Sequence, residues 1–306
     1  MTVQSPWSAE YELDTDQVDS IISKNTNLTV SEVAFLGEGW DFYNWLVNDR
    51  WVFRFPKRHS DIDTLVHERR ILSRLELSIE TPRFEFWVDR PTDFHKPFAG
   101  YPYLPGTPLV HFEGDSCNLA MIGQCIGEVL TDLHQQSLTP PRVPADPLTL
   151  WTEGFDDIVT NAKPDLSSEI EHQVRRALSS YRFRERTDHQ VTTHNDLGVE
   201  HILMQDRERV AALIDWADCA TANGFVDFAG IWAWGGNPAL AATLDHYYVE
   251  PSLEDFAQIR IHGLCYSLEQ IAYGRAIGDR SLRANAIQWV TNRAQDGELD
   301  DVYVKP

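Results

Sequence analysis

His194-Asn195-Asp196-Leu197-Gly198-Val199-Glu200-His201-Ile202-Leu203-Met204, followed after a polar turn by Val210-Ala211-Ala212-Leu213-Ile214-Asp215-Trp216, is the stretch on which the reading of this chain rests. Two short apolar segments, Ile202 to Met204 and Val210 to Ile214, read as strands. Asp196 precedes the first, Asp215 ends the second, and His201 stands between them. Phosphoryl transfer from a nucleotide needs a base for the attacking hydroxyl and side chains that hold metal ions against the phosphate charge. In that reading Asp196 accepts the hydroxyl proton, and His201 and Asp215 hold the metal. Leu197-Gly198 gives Asp196 a loop in which its carboxylate can reach a substrate, as a general base must. Asp215 ends a buried strand, and a carboxylate placed there needs a partner, for which a metal ion is a natural choice. His194 is expected to support the loop, and Asp227, inside Phe225-Val226-Asp227-Phe228-Ala229, to be structural.

Upstream of residue 105, short segments alternate with a period of two: Glu32 to Leu36, Tyr43 to Asn48, Trp51 to Phe55 and Phe84 to Asp89. They predict strands of one antiparallel sheet. Between the third and fourth, Ile62, Leu65, Val66, Ile71, Leu72 and Leu75 recur at helical spacing and predict one helix over Asp61 to Leu77. After Pro105-Gly106 the pattern becomes helical. An apolar stripe from Leu119 to Leu133 follows a candidate N-cap at Ser116, and Pro140, Pro141, Pro144 and Pro147 make a stiff loop. Helical patterns resume over Leu148 to Asn161, Ser167 to Phe183, and from Phe225 onward. The prediction is an α+β protein: a small antiparallel β-rich lobe with one helix over 1–105, and a large α-helical lobe over 106–306 that carries the catalytic segment and the substrate pocket.

The small lobe supplies residues suited to a nucleotide. In Leu36-Gly37-Glu38-Gly39-Trp40-Asp41, Gly37 and Gly39 let backbone N–H groups close over phosphates with no Cβ in the way, although such a pair also occurs in plain turns. In Trp51-Val52-Phe53-Arg54-Phe55-Pro56-Lys57, Phe53 and Phe55 share one face and Arg54 the other, which makes Arg54 the candidate phosphate contact and Lys57 the fallback. Glu68 on the following helix is the candidate carboxylate that orients the cation. The connecting passage Phe98 to Gly106 reads as an extended strand whose free backbone groups could meet the edge of a nucleobase, with Tyr101, Tyr103 and Leu104 as candidate contacts.

Composition narrows the classes. With 26 Lys and Arg against 47 Asp and Glu, the formal net charge is −21. That field repels nucleic acid and anionic membranes and attracts cations, so no nucleic-acid or membrane partner is expected. Cys117, Cys125, Cys219 and Cys265 lie far apart and form no C-x-x-C pair, as expected of free thiols in a reducing compartment. No leader-like or membrane-spanning apolar run is evident, so a soluble cytoplasmic protein is expected.

Together, Leu36-Gly37-Glu38-Gly39, Val52 to Pro56, His67-Glu68, Tyr101 to Gly106, the His194 to Leu203 segment and Leu213-Ile214-Asp215-Trp216 resemble the aminoglycoside phosphotransferase family, which has a protein-kinase-like two-lobed fold. The resemblance spans roughly residues 30 to 275. His201, with Phe98-Ala99-Gly100-Tyr101 and Gly106-Thr107-Pro108-Leu109, is similar to the aminoglycoside 2''- and macrolide phosphotransferases. It implies Asp196 as base, Mg²⁺ held by His201 and Asp215, and ATP or GTP as phosphate donor. Arg54 stands where relatives often have Lys. The implied acceptor is a hydroxyl of a small molecule, a cationic aminoglycoside antibiotic in the leading reading. Carboxylates for its ammonium groups are then expected from Glu200, Asp218, Asp245 and Glu269 of the large lobe. A macrolide would instead need apolar walls from Phe228, Ile231, Trp232, Trp234 and Tyr266. A metabolic amino-alcohol or sugar kinase, and a nucleotide-binding module without catalysis, are the remaining alternatives.

Overall fold

The computed structural model describes residues 9–112, 116–141, 155–182 and 189–306. It contains two compact units. The first takes the described residues up to Leu75, then Glu80–Pro105 and, from far along the chain, Asp215–Asp218. The second takes Glu76–Ile79, the described residues of 106–214, and Cys219–Pro306.

The first unit is built on a five-stranded antiparallel sheet in the order β1-β2-β3-β5-β4. Its strands are β1 (Val33–Glu38), β2 (Phe42–Val47), β3 (Trp51–Pro56), β4 (Phe86–Val88) and β5 (Phe98–Pro102). On one face Trp45, Val47, Phe53, Phe55 and Phe98 form a core closed by α1 (Thr15–Asn25) through Val18, Ile21 and Ile22. Phe55 and Phe98 stack with centroids 4.9 Å apart. Each such ring taken out of water stabilises the fold by about 1.5–3 kcal/mol. The sequence reading found one helix here and missed α1. Its signal was present: Asp14 accepts the Gln17 N–H and Gln17 returns the bond, a complete capping box.

On the opposite face Phe42, Leu65, Ala99 and Ala217 cluster. Leu65 belongs to α2 (Asp61–Leu72), which stops before the expected Leu77. The Arg83 guanidinium takes the carbonyls of Leu72 and Leu75 that further helical turns would have used. Because both faces of β3 are covered, all six of its residues are buried, and the expected in-out alternation is absent. A cation at its centre therefore has to be paired.

In the second unit, β8 (Ile202–Met204) pairs antiparallel with β9 (Val210–Leu213), and β6 (Thr107–Pro108) joins the β8 edge. A second small ladder, not foreseen from sequence, pairs β7 (Gln190–Thr193) with β10 (Ala220–Asn223). The helices are α3 (Leu119–His134), α4 (Phe155–Ala162), α5 (Ser168–Ser180), α6 (Ala229–Leu244), α7 (Leu253–Ile277) and α8 (Arg280–Gln295). The N-cap of α3 is Asn118, whose side chain accepts from Met121, and not Ser116. Pro144, Pro147, Leu148 to Gly154 and Phe183 lie outside the described residues. α7 starts at a Ser252–Asp255 capping box and stops at Gly278, which adopts φ 78° as a C-terminal cap requires. Among the described residues no helix is long and apolar enough to cross a membrane. Cys219 and Cys265 are buried, Cys117 and Cys125 half-buried, and all four are free thiols.

Candidate active site

In the first unit the expected cation meets Glu68, the carboxylate expected to orient it, and also Asp215, a predicted metal ligand. The Arg54 guanidinium, 4% exposed, reaches Glu68 Oε1 at 2.5 Å through Nη1 and Asp215 Oδ1 at 3.1 Å through Nη2. The Phe42 ring lies under it, 4.2 Å from centroid to Cζ. Glu68 Oε1 also accepts the Trp216 N–H at 3.3 Å, so the segment Asp215–Asp218 is tied to α2. Burial works against the Arg54 charge, but Glu68 and Asp215 outweigh it and raise its pKa. Burial pushes the Glu68 carboxyl up, with Arg54 opposing. Arg reaches the two carboxylates through two separate nitrogens of one rigid planar group, whereas a Lys ammonium has a single nitrogen. Asp215 has φ 64°, a left-handed conformation that side chains other than glycine seldom adopt and that tends to mark functional positions.

The glycine turn closes by bonds of its own. Gly39 donates its N–H to the Phe42 carbonyl at 3.0 Å, so that group faces its own hairpin. Gly37 takes φ 153°, and a Cβ at either glycine would meet nothing within 4 Å, which leaves open space on the turn. Lys57 Nζ donates to Glu38 Oε2 at 2.9 Å and to the Gly39 carbonyl at 3.1 Å. It holds the turn from below. Along the connecting passage, Tyr101 is 8% exposed and packs edge-on against Phe84, and burial raises its hydroxyl pKa. Tyr103 is 39% exposed, but its N–H is spent on the Arg50 carbonyl at 2.7 Å. The backbone N–H and C=O of Leu104 take no partner among the described residues, which makes Leu104 the freest backbone edge of the three.

In the second unit the loop carrying Asp196 is heavily braced. Asp227 accepts the N–H groups of His194 and Asn195, each at 2.8 Å. His194 Nε2 donates to the Ile214 carbonyl at 3.0 Å. Asn195 adopts φ 68°, turning the chain sharply just before Asp196. Leu197 packs so closely on α6 that a Cβ at Gly230 would lie 2.3 Å from its carbonyl oxygen. The Asp196 side chain is left 45% exposed. His201 Nδ1 lies 2.8 Å from the Asp196 carbonyl, which can only accept, so Nδ1 carries a proton and donates there. A histidine with its second nitrogen fixed in this way is suited to bind a metal.

Among the described residues no group of three or more His, Cys, Asp and Glu side chains is arranged to hold a metal ion. Asp215, in the first unit, offers an oxygen donor of the kind that Mg²⁺ takes beside its waters and phosphate oxygens.

The expected acceptor residues separate. The Tyr266 hydroxyl donates to Glu200 Oε2 at 2.5 Å, and its ring stacks on Trp289 with centroids 6.3 Å apart. Burial, Glu200 and Asp196 together raise its pKa, which puts Tyr266 within electrostatic reach of the expected base. One turn along α7, Glu269 has no partner among the described residues, and burial pushes its carboxyl up to about 7. Two expectations need correction. Trp232 is 0% exposed and belongs to the core, as do Phe228, Ile231 and Trp234, because the whole run from Phe228 to Trp234 is buried. Asp218 falls in the first unit beside Asp215, and not with the large helical unit.

The motif order and these surroundings agree with a family model described as "Phosphotransferase enzyme family", which matches residues 32–262. The chain belongs to this family. No curated protein sequence matches it. The phosphotransferase is similar in fold to APH(2'')-IIIa in a GDP and kanamycin complex, at 19% identity and TM-score 0.72, with 92% of this chain and 99% of that one covered. It is also similar to the macrolide 2'-phosphotransferase MphH from Brachybacterium faecium, at 18% identity and TM-score 0.59 over 90% and 98% of the two chains. A third is APH(2'')-IIa in a ternary complex with streptomycin and ATP, at 17% identity and TM-score 0.56 over 92% and 97%. At these identities the likeness establishes the kinase-like fold of the phosphotransferase, with an antiparallel N-terminal sheet and a helical C-terminal region.

Proposed function

We propose that this phosphotransferase moves the γ-phosphate of ATP or GTP to a hydroxyl of an aminoglycoside. The observation that carries the acceptor class is Glu269, a half-buried carboxylate without a partner among the described residues, one helical turn from the Tyr266–Glu200 pair. A half-buried carboxylate of this kind gains by meeting an ammonium group. Of the apolar side chains that a macrolide would need, Phe228, Ile231, Trp232 and Trp234 are buried in the core. The complexes of similar proteins with kanamycin or streptomycin, and with GDP or ATP, point the same way.

In this reading the carboxylate of Asp196 takes the proton from the acceptor hydroxyl as the hydroxyl oxygen attacks the γ-phosphorus, and the bond from that phosphorus to the β-phosphate oxygen breaks to release the nucleoside diphosphate. Arg54, oriented by Glu68, contacts phosphate oxygens. Leu104, flanked by Tyr103, offers N–H and C=O to the base, and Gly37 and Gly39 leave the turn open for the phosphates. Asp215 and His201 serve as ligands for Mg²⁺, which neutralises charge on the phosphates when bound. Glu200 and Glu269 hold ammonium groups of the acceptor.

The test is steady-state turnover of an antibiotic panel with ATP and with GTP. Phosphorylation of at least one aminoglycoside is expected. Turnover of macrolides alone, or of no aminoglycoside, refutes the acceptor assignment.

A further inference from the structure

Behind the loop that carries Asp196, four buried side chains from separate elements form one hydrogen-bonded chain. Asp227, fully buried in the tight turn Gly224–Phe228, binds the His194 N–H through Oδ2 and the Asn195 N–H through Oδ1. Its Oδ2 also lies 3.0 Å from Nε2 of His134, at the end of α3. His134 Nδ1 is 2.6 Å from the hydroxyl of Tyr247, just past α6, and that hydroxyl is 2.8 Å from Nε2 of His189, which leads into β7.

The direction of this chain follows from its carboxylate end. Asp227 accepts at both oxygens, so Nε2 of His134 donates to it, and Nδ1 turns its lone pair to Tyr247. Tyr247 spends its single proton on that lone pair, and its oxygen then accepts from His189 Nε2. Reversing one member would leave two buried donors or two acceptors facing each other. The spacing is tight: a Cβ at Gly224 would lie 2.6 Å from His189 Nε2 and 3.0 Å from His134 Nδ1.

We propose that Tyr247, acting through His134, is a positioning residue for the base of phosphoryl transfer. The chain keeps Asp227 turned toward the loop. Asp227 in turn fixes the two N–H groups that hold Asn195 in its left-handed conformation, and that turn sets the direction of Asp196. The inference rests on Asp196 being the base. Without the chain the loop relaxes toward ordinary backbone conformations. The base then loses alignment, while residues that bind nucleotide and acceptor elsewhere keep their contacts.

Three variants test this. Tyr247→Phe keeps the ring and removes the hydroxyl; kcat is expected to fall by about tenfold, with both KM values within about twofold of the parent. In His134→Gln the side-chain amide reaches the position of Nε2 and can still donate to Asp227. In His134→Asn the amide stops near the position of Nδ1, facing Tyr247, and leaves Asp227 one donor short. The Gln variant is expected to keep most of the turnover and the Asn variant to lose about tenfold or more. Turnover is read both as transfer and as nucleotide hydrolysis without acceptor, so a wrong acceptor class cannot imitate the loss. Asp196→Ala in the parent reports on the base separately: normal turnover there would remove the reading on which the inference rests, whatever Tyr247 does. Circular dichroism and thermal midpoints identify folded variants, and if Tyr247→Phe does not fold, the two His134 variants decide. Tyr247→Phe with kcat within about twofold of the parent, or folded Gln and Asn variants with equal kcat, overturns the proposal.

Discussion

Glu269→Gln separates the charge of the half-buried carboxylate from its shape. In the folded protein Glu269 holds its proton up to about pH 7, because burial disfavours the charged form, whereas the usual value is 4.5. The folded state therefore binds more protons than the unfolded chain between those values, and stability falls as pH rises through that window. The span corresponds to about 3 kcal/mol, of which about 2 kcal/mol is expected to remain after partial contact with water is allowed for. Gln carries no such cost. The variant should match the parent at pH 4, gain on it between pH 4.5 and 7, and stay ahead by about 2 kcal/mol above pH 7, a difference of several degrees in thermal midpoint. Urea unfolding of both proteins at half-unit pH steps measures this directly. Acceptor binding should show the opposite dependence: an ammonium group takes the ionised carboxylate, so the parent's KM for a cationic acceptor rises as pH falls below about 7, while the variant's KM is higher and flat. A stability difference that does not grow between pH 4.5 and 7 would refute the account of Glu269.

Arg54→Met leaves Glu68 buried without its cation and is expected to destabilise the protein by about 3–5 kcal/mol, with much of this recovered in Arg54→Met/Glu68→Leu, as read by urea unfolding. Gly230→Ala forces Leu197 away from α6 and shifts the neighbouring Asp196; turnover should fall by more than about tenfold with nucleotide affinity retained, measured by kinetics and calorimetric titration. Trp232→Ala should cost about 3–5 kcal/mol of stability and leave the ratio of turnover between acceptors unchanged, since the ring belongs to the core.

The order of strands and helices was legible because periodicity survives wherever one face of an element meets water. At β3 it found the strand but not its burial on both faces, and that burial explains why Arg54 is tied to Glu68 and Asp215. Trp232 was misread because an element that is apolar all round does not show which of its faces lines a pocket. α1 was missed although Asp14 and Gln17 announced its start. Asp196, His201 and Asp215 stood out by residue type and spacing. The surrounding chain of His134, Tyr247 and His189 did not, since these residues are scattered over more than a hundred positions and are joined only by hydrogen bonds. Asp218 illustrates a limit of reading along the chain, because four residues of the catalytic segment fold with the first unit.

The most direct test of the central claim is Asp196→Ala, assayed for phosphoryl transfer and for nucleotide binding in parallel. The account predicts that turnover falls by about a hundredfold or more, the contribution expected of a positioned base, while nucleotide affinity changes little. Turnover close to that of the parent would show that Asp196 is not the base.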